Sequence, residues 1–354
     1  MDYMTAGVVE LPWTSEVRAR LAGTAVYLPE RWVSMEEREA EIAAASGSFR
    51  PPAGLVTRLT GVKGVYMAAR NEQPSDLAAS AARTVLTDTG TRPSDIDLVI
   101  FAACSQDMTE PATAHIVADK LGVSCPVFDV KNACNSVLNA LELTQALISG
   151  RQYRTVLVTC GELPSVSVRY RVPDAAAFAR AFPSYGFSDA GAAMLFTAGA
   201  AGPSSAGILR CRFAADSSVW PAATVRYGGA ASVRDPDEED RYFRMEGTRL
   251  QASLRAQGPL LHAWLEEWGL TLTDFAFIGV HQVAFSDIEA LCAEAGVPRD
   301  RFVVTLPDHG NVAAASLPLQ LFHAVETGKA KQGDLIALTG AAAGSSGGLA
   351  VMRL

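Results

Sequence analysis

The 354-residue chain lacks most of the features that assign a sequence quickly. No apolar run approaches the roughly 18 residues that a membrane span requires, so no membrane partner is expected. Met1 to Leu11 has no basic start followed by an apolar core, so it does not read as a secretory signal, and a cytoplasmic location is the expectation. Basic residues are in the minority. Thirty Lys and Arg against 38 Asp and Glu leave a net charge of −8, which argues against nucleic acid as the main partner. An acidic carrier protein is still compatible, because it needs only a local basic patch. Cysteine is scarce: Cys104, Cys125, Cys134, Cys160, Cys211 and Cys292 show no CxxC spacing and no Cys/His cluster. Neither a disulfide framework nor a metal or redox cofactor is expected. The ordinary fate of such a cysteine is a buried, inert thiol. What the chain does have is apolar residues, 49% against 19% charged, the composition of a folded globular protein with a sizeable core.

The order of segments repeats. From Ser94 the chain reads SDIDLVIFAACS, ATAHIVADKLGV, CPVFDVKNAC, a helix to Gly150, then RTVLVTCGE. From Leu272 it reads LTDFAFIGVHQV, SDIEALCAEAGV, DRFVVTLPDHGN, a helix to Gly328, then DLIALTGAA. Gly122 and Gly296 each close a helix as C-caps, and Gly150 and Gly328 close the next one. An offset of roughly 174–179 residues persists throughout, which implies a structural duplication. Each half reads strand, helix, strand, helix, strand. LVIFAAC, TVLVTCG, FAFIGV and LIALTG are continuous apolar runs, as expected of strands buried on both faces of parallel-rich sheets. The expected fold is α/β, two halves (1–200 and 201–354) packed as five layers, α/β/α/β/α. Residues 1–20 read as a loosely packed extension. Pro164–Ser184 and Ser217–Asp240 read as loops or caps over a site, the latter ending in a solvated acidic run, DPDEED.

In the first half, a helix is expected to begin near Ala133-Cys134, straight after the strand FDV. A thiol at a helix N-terminus has its thiolate stabilised by the helix dipole and free N–H groups, which activates a nucleophile without a metal. A thiol filling a tight strand–helix junction fits this segment equally. At the matching junction of the second half, Asn311 is read at the place Cys134 holds; alone it would be an ordinary N-cap. His281 ends the strand FAFIGV, where ligands of α/β sheets collect; alone it could be a satisfied structural residue. A duplicated fold brings equivalent junctions to one place, and Cys, His and Asn are found there.

FDVKNACNSVLNAL, GVHQVAFSDI, HGNVAAASLPLQL and GAAAGSSGGLAVMRL resemble the ketoacyl-acyl-carrier-protein synthase III branch of the thiolase superfamily. So do TAVYLPE and TRLTGVKG near the N-terminus, and the resemblance runs from about Gly23 to the end. It implies a thiolase-like fold and an acyltransferase that needs no cofactor beyond its substrates, acyl thioesters of coenzyme A or acyl carrier protein. Cys134 would form the acyl-enzyme. Its N–H and one from the Gly344-Ser345-Ser346-Gly347 turn would hold the oxyanion. His281 and Asn311 would hold the second thioester's carbonyl as an enolate forms, and Arg58 would contact the incoming substrate. The family's dimeric state implies a homodimer with the Gln106–Thr113 loop at its interface.

Two departures matter. Gly54 stands where the family often has a Trp that stacks on coenzyme A, which favours a carrier-borne acyl group. Glu110 stands before Pro111 where the synthases commonly have an apolar residue. A similar Glu-Pro segment, and KNAC around Cys134, resemble the head-to-head condensing enzymes of long-chain olefin synthesis. That resemblance implies a non-decarboxylative condensation with Glu110, reaching from the partner subunit, as base; a surface carboxylate is the plain alternative. The leading expectation is decarboxylative condensation in fatty-acid-like or polyketide metabolism. O- or N-acyl transfer without a carbon–carbon bond is kept beside it. Phe182, Phe187 and Trp220 are expected to help set acyl chain length.

Overall fold

The structure is a computed structural model that describes residues 16–202 and 204–354. The apolar runs become the strands of two sheets. The first contains β1 (Val17–Tyr27), β2 (Leu98–Ala102), β3 (Val127–Val130), β4 (Thr155–Glu162) and β5 (Ala190–Ala200), in the order β1-β5-β4-β2-β3. β2 runs parallel to both β3 and β4, while β5 is antiparallel to β4 and β1. The second contains β6 (Gly207–Ala215), β7 (Phe277–Val280), β8 (Leu335–Ala342) and β9 (Ser346–Arg353), in the order β7-β8-β9-β6. Only its β7–β8 pair is parallel. Every residue of β2 is buried, as its unbroken apolar run requires.

Six helices matter for the site: α1 (Pro74–Thr89), α2 (Thr113–Leu121), α3 (Ser136–Ser149), α4 (Gly247–Glu267), α5 (Phe285–Ala295) and α6 (Ser316–Glu326). α3 and α6 touch strands of both sheets and form the central layer. α1 lies on the first sheet with α2 beside it, and α4 lies on the second. That is the expected five-layered arrangement. α1 reaches its sheet through two glycines paired across β4 and β5, Gly161 and Gly191. A Cβ at Gly161 would stand 1.8 Å from Pro74 O, and one at Gly191 2.0 Å from Leu77 O, so only glycine admits the helix this closely.

The halves diverge in detail. Gly122 and Gly296 cap their helices in the left-handed conformation, but Gly150 does not; Arg151 takes the positive φ there. The run FVVT does not form a full strand, and only one bridge, Phe302 with Ile278, answers to β3. Val17–Arg20 belong to β1 instead of a loose extension, because β1 pairs with β5 along its length; residues 1–15 lie outside the described residues. Pro164–Ser184 contains a short helix, Ala175–Ala181, and Ser217–Asp240 another, Ala230–Arg234. The acidic run is not wholly solvated. Asp240 is 2% exposed and accepts a bond from Arg226 Nη1 at 3.0 Å, which is how a buried carboxylate is tolerated.

Candidate active site

Strands β2, β3 and β7 end at one region, and the loops that follow them build the site. After β3 the chain makes a tight turn with Ala133 at φ 47°. Ser136 Oγ donates to Ala133 O at 2.7 Å and accepts from Asn132 N at 2.9 Å. This delivers Cys134 one residue ahead of the N-cap Asn135, so α3 starts two residues later than its sequence suggests. In the second half Ala313 has the same left-handed φ, 48°, three residues before α6. Those two residues align the junctions, so Ala314 answers to Cys134 in backbone position. Asn311 belongs two residues upstream of the left-handed residue, and not at the position equivalent to Cys134.

The three residues nonetheless line one cavity. Asn311 is pinned by its backbone: its N–H donates to Gly186 O at 2.8 Å, and its carbonyl accepts from Ser188 N at 3.1 Å. The fully buried Arg38 steadies that segment through Tyr185 O (2.9 Å) and Phe187 O (2.8 Å). Asn311 Oδ1 accepts from Ala313 N at 3.0 Å, which leaves its NH2 as the group available to a ligand. His281 follows β7, and buried glutamines hold both flanks. Gln320 bonds the N–H and C=O of Val280, while Gln282 accepts from Thr305 N and Leu306 N. His281 Nδ1 is buried without a partner among the described residues.

The electrostatics favour the thiolate form of Cys134. A hydrogen bond from the Cys104 thiol and the neighbouring His281 ring hold its thiol well below the ordinary range, against the opposing effect of burial. Burial pushes His281 down, but the charge of Cys134, its hydrogen bond and Glu162 outweigh it, and the net displacement is upward. A cysteine displaced down beside a histidine displaced up means that each favours the other's charged form.

Glu162, at the end of β4, is a site residue that sequence reasoning missed. It is fully buried, and burial pushes its carboxyl up to about 7. Its Oε1 accepts from Cys104 N (2.7 Å) and Ala314 N (3.2 Å), and its Oε2 from Ser105 N (3.1 Å) and Ser105 Oγ (2.8 Å). It therefore ties the loop after β2 to the segment after Asn311, joining the two halves behind the nucleophile. The signal was a lone charge ending an apolar strand, TVLVTCGE.

The cavity holds about 1140 Å³ and is chiefly apolar. Trp220, Phe187 and residues of the two expected capping segments line it; Phe182 packs instead against Phe178 and Tyr185, outside the lining. Gly344 (φ 82°) and Ser345 (φ 51°) turn β8 into β9 beside Cys134. Ser345 Oγ is 2.6 Å from Ser253 Oγ, and Ser346 Oγ accepts from Asn135 Nδ2 at 3.2 Å. Those hydroxyls fasten the turn. Four expected residues are outside the lining of this chain's cavity: Ser345 and Ser346, which are buried within the turn, and Arg58 and Glu110. Arg58, on the short helix Leu55–Thr60, is exposed and outside the lining, because the preceding Gly54 starts that helix at the surface. Glu110 is likewise exposed and outside it, although Met108 and Thr109 line it.

Comparison with known proteins agrees with this geometry. The family profiles for 3-oxoacyl-[acyl-carrier-protein (ACP)] synthase III and for its C-terminal part match residues 128–217 and 265–354. The beta-ketoacyl-[acyl-carrier-protein] synthase III of Cereibacter sphaeroides is 34% identical over 341 residues, covering 95% of this chain and 99% of that protein. That of Neisseria gonorrhoeae is 30% identical over 338 residues, with 95% and 99% covered. Among solved structures, the synthase III of Aquifex aeolicus superposes with a TM-score of 0.80 at 26% identity, covering 95% of this chain and 100% of that one. OleA of Xanthomonas campestris superposes at 0.84 with 22% identity, covering 96% and 99%, and shares the fold. With a duplicated thiolase-type body and a Cys–His–Asn cavity at the junction of its halves, this chain belongs to the 3-oxoacyl-acyl-carrier-protein synthase III family of condensing enzymes.

Proposed function

We propose that Cys134 takes an acyl group from a coenzyme A or carrier-protein thioester and condenses it with a malonyl-type thioester. The observation that carries this reading is the Cys134–His281 pair facing Asn311 in one apolar cavity. The Cys134 thiolate attacks the thioester carbonyl, and the carrier's thiol leaves with a proton. Backbone N–H groups of Cys134 and of the Gly344–Gly347 turn hold the oxyanion. The second thioester then loses carbon dioxide. The electrons of that carbon–carbon bond form an enolate, whose oxygen accepts from the His281 ring and the Asn311 amide. The enolate carbon attacks the acyl group, expels the Cys134 thiolate and gives a 3-oxoacyl thioester. Ligand pockets commonly span about 300–1,000 Å³, so a cavity this large suits a long acyl chain.

Incubation with an acyl thioester followed by intact-mass measurement tests the first step. An acyl adduct on Cys134 is expected, and its absence sinks every covalent version. Release of labelled carbon dioxide from a malonyl thioester tests the second step. A product formed without it would favour non-decarboxylative condensation, the reading that Glu110 supports. Acyl transfer to an alcohol or amine would show as loss of the adduct without a 3-oxo product. We further propose a homodimer in the cytoplasm, with Gln106–Thr113 at the subunit interface; a monomer by light scattering would contradict the dimer.

A further inference from the structure

Three of the six cysteines converge at one wall of the cavity. Cys104 follows β2, Cys134 follows β3 and Cys160 lies near the end of β4. These strands are neighbours, with Ala102 opposite Val130 and Phe101 opposite Thr159. Cys104 and Cys134 both line the cavity, whereas Cys160 is 1% exposed and outside the lining. Glu162 fixes the Cys104 backbone from one side and Ser105 from the other. The Cys104 thiol is thus held by a fixed loop at the same cavity wall as Cys134, on the end of the neighbouring strand, and the two thiols are electrostatically coupled.

We propose that Cys104 is a resolving thiol for Cys134: when a hydroperoxide oxidises the nucleophile, Cys104 closes a reversible disulfide with it. This rests on Cys134 being the reactive thiolate. The Cys134 thiolate attacks the distal oxygen of the hydroperoxide: an S–O bond forms, the O–O bond breaks, and the proximal oxygen leaves as an alcohol or water, giving a sulfenic acid. The Cys104 sulfur then attacks the Cys134 sulfur. An S–S bond forms, the S–OH bond breaks, and the hydroxyl leaves as water with the Cys104 proton. The Cys104 sulfur supplies the electron pair of the new bond and the hydroxyl departs with the pair of the broken one, so the single hydroperoxide accounts for the whole two-electron oxidation. Without a neighbouring thiol, a sulfenic acid that meets more peroxide goes on to the irreversible sulfinic acid. The high thiolate character of Cys134 exposes it to that loss, and Cys104 stands where it would intercept it. A disulfide here blocks acyl loading until a thiol reductant restores both groups.

The purified, full-length protein is treated with hydrogen peroxide and measured by non-reducing intact mass, peptide mapping and acyl loading before and after dithiothreitol. The expected result is a protein lighter by two hydrogens, a Cys104–Cys134 cross-linked peptide, and loading restored by reductant. Prior acylation of Cys134 is expected to prevent the cross-link. The Cys104→Ser variant should gain oxygen at Cys134 and recover less than about a tenth of its own loading. Oxygen addition without a cross-link in the unmodified protein, or a cross-link to Cys160 instead, overturns the proposal. Because acyl loading before peroxide is measured in the same sample, failure of the nucleophile is distinguishable from failure of the resolving thiol.

Discussion

Glu162 carries two duties that pull in opposite directions. As an ionised acceptor it satisfies backbone donors of two loops; as a buried charge beside a thiolate it is disfavoured. Its carboxyl near 7 stands above the ordinary 4.5, so the folded chain holds more protons than the unfolded chain between those values. Stability from this group is therefore full below about pH 4.5 and falls as pH rises towards 7. At 1.36 kcal/mol per unit the span is about 3 kcal/mol. Glu162→Gln should flatten that slope while costing about 1–3 kcal/mol for a donor left unpaired, read from urea midpoints across the window. For Cys134 the sign is opposite. Its depressed thiol stays ionised below the ordinary range, so alkylation by iodoacetamide should stay fast there. His281→Ala should move the midpoint of that rate profile upward; an unmoved midpoint would show that the imidazole does not sustain the thiolate. His281→Ala and Asn311→Ala should still take an acyl group at Cys134 but condense it about 10²–10³-fold more slowly. Cys134 and His281 could be read from the sequence because each sits at an element boundary with its own signature. Cys104 gave no signal, because it continues an apolar run; Glu162 gave one, a lone charge at a strand end, but only tertiary contact shows what it bonds.

At the level of elements, the apolar runs and glycine stops outlined most of the strands and helices. The exceptions have physical causes. FVVT has the composition of a strand, but lacks a long partner and makes one bridge. Asn311 was misaligned with Cys134 because HGN and KNAC look alike in spacing, whereas the left-handed residue that sets the junction, Ala133 or Ala313, is an ordinary alanine in sequence. The glycine pair under α1 makes a sharp prediction. Gly191→Ala puts a methyl against the Leu77 carbonyl, a backbone atom that cannot swing aside, so the helix must lift; a loss of about 1–3 kcal/mol or more is expected in chemical denaturation. α4 is different. Only Leu250 and Leu265 of its 21 residues are buried. Leu254, Leu261 and Trp264, on the same face by their spacing, line the cavity. Leu254→Trp should cut turnover of long acyl thioesters at least about tenfold relative to short ones, with stability changed by less than about 1.5 kcal/mol.

Across the whole molecule, Cys134 comes from one half of the chain and His281 and Asn311 from the other, so the cavity needs both halves. Glu110 belongs to this scale too, since nothing on its own chain draws it to Cys134. Glu110→Gln is expected to keep carbon dioxide release from a malonyl thioester within a few-fold of the parent. If it instead abolishes product, mixing Glu110→Gln with Cys134→Ala subunits should restore about a quarter of the activity in a statistically assembled dimer, and that rescue would move the assignment to the non-decarboxylative reaction. The thin packing of α4 has a consequence for history as well as mechanism. A wall that contributes little to folding can change its inner row freely, because most single replacements there stay clear of the stability threshold that purges mutations. The inner row of α4 can thus be changed to alter the acyl chain accepted while the cavity wall that holds Cys134, His281 and Asn311 is left in place.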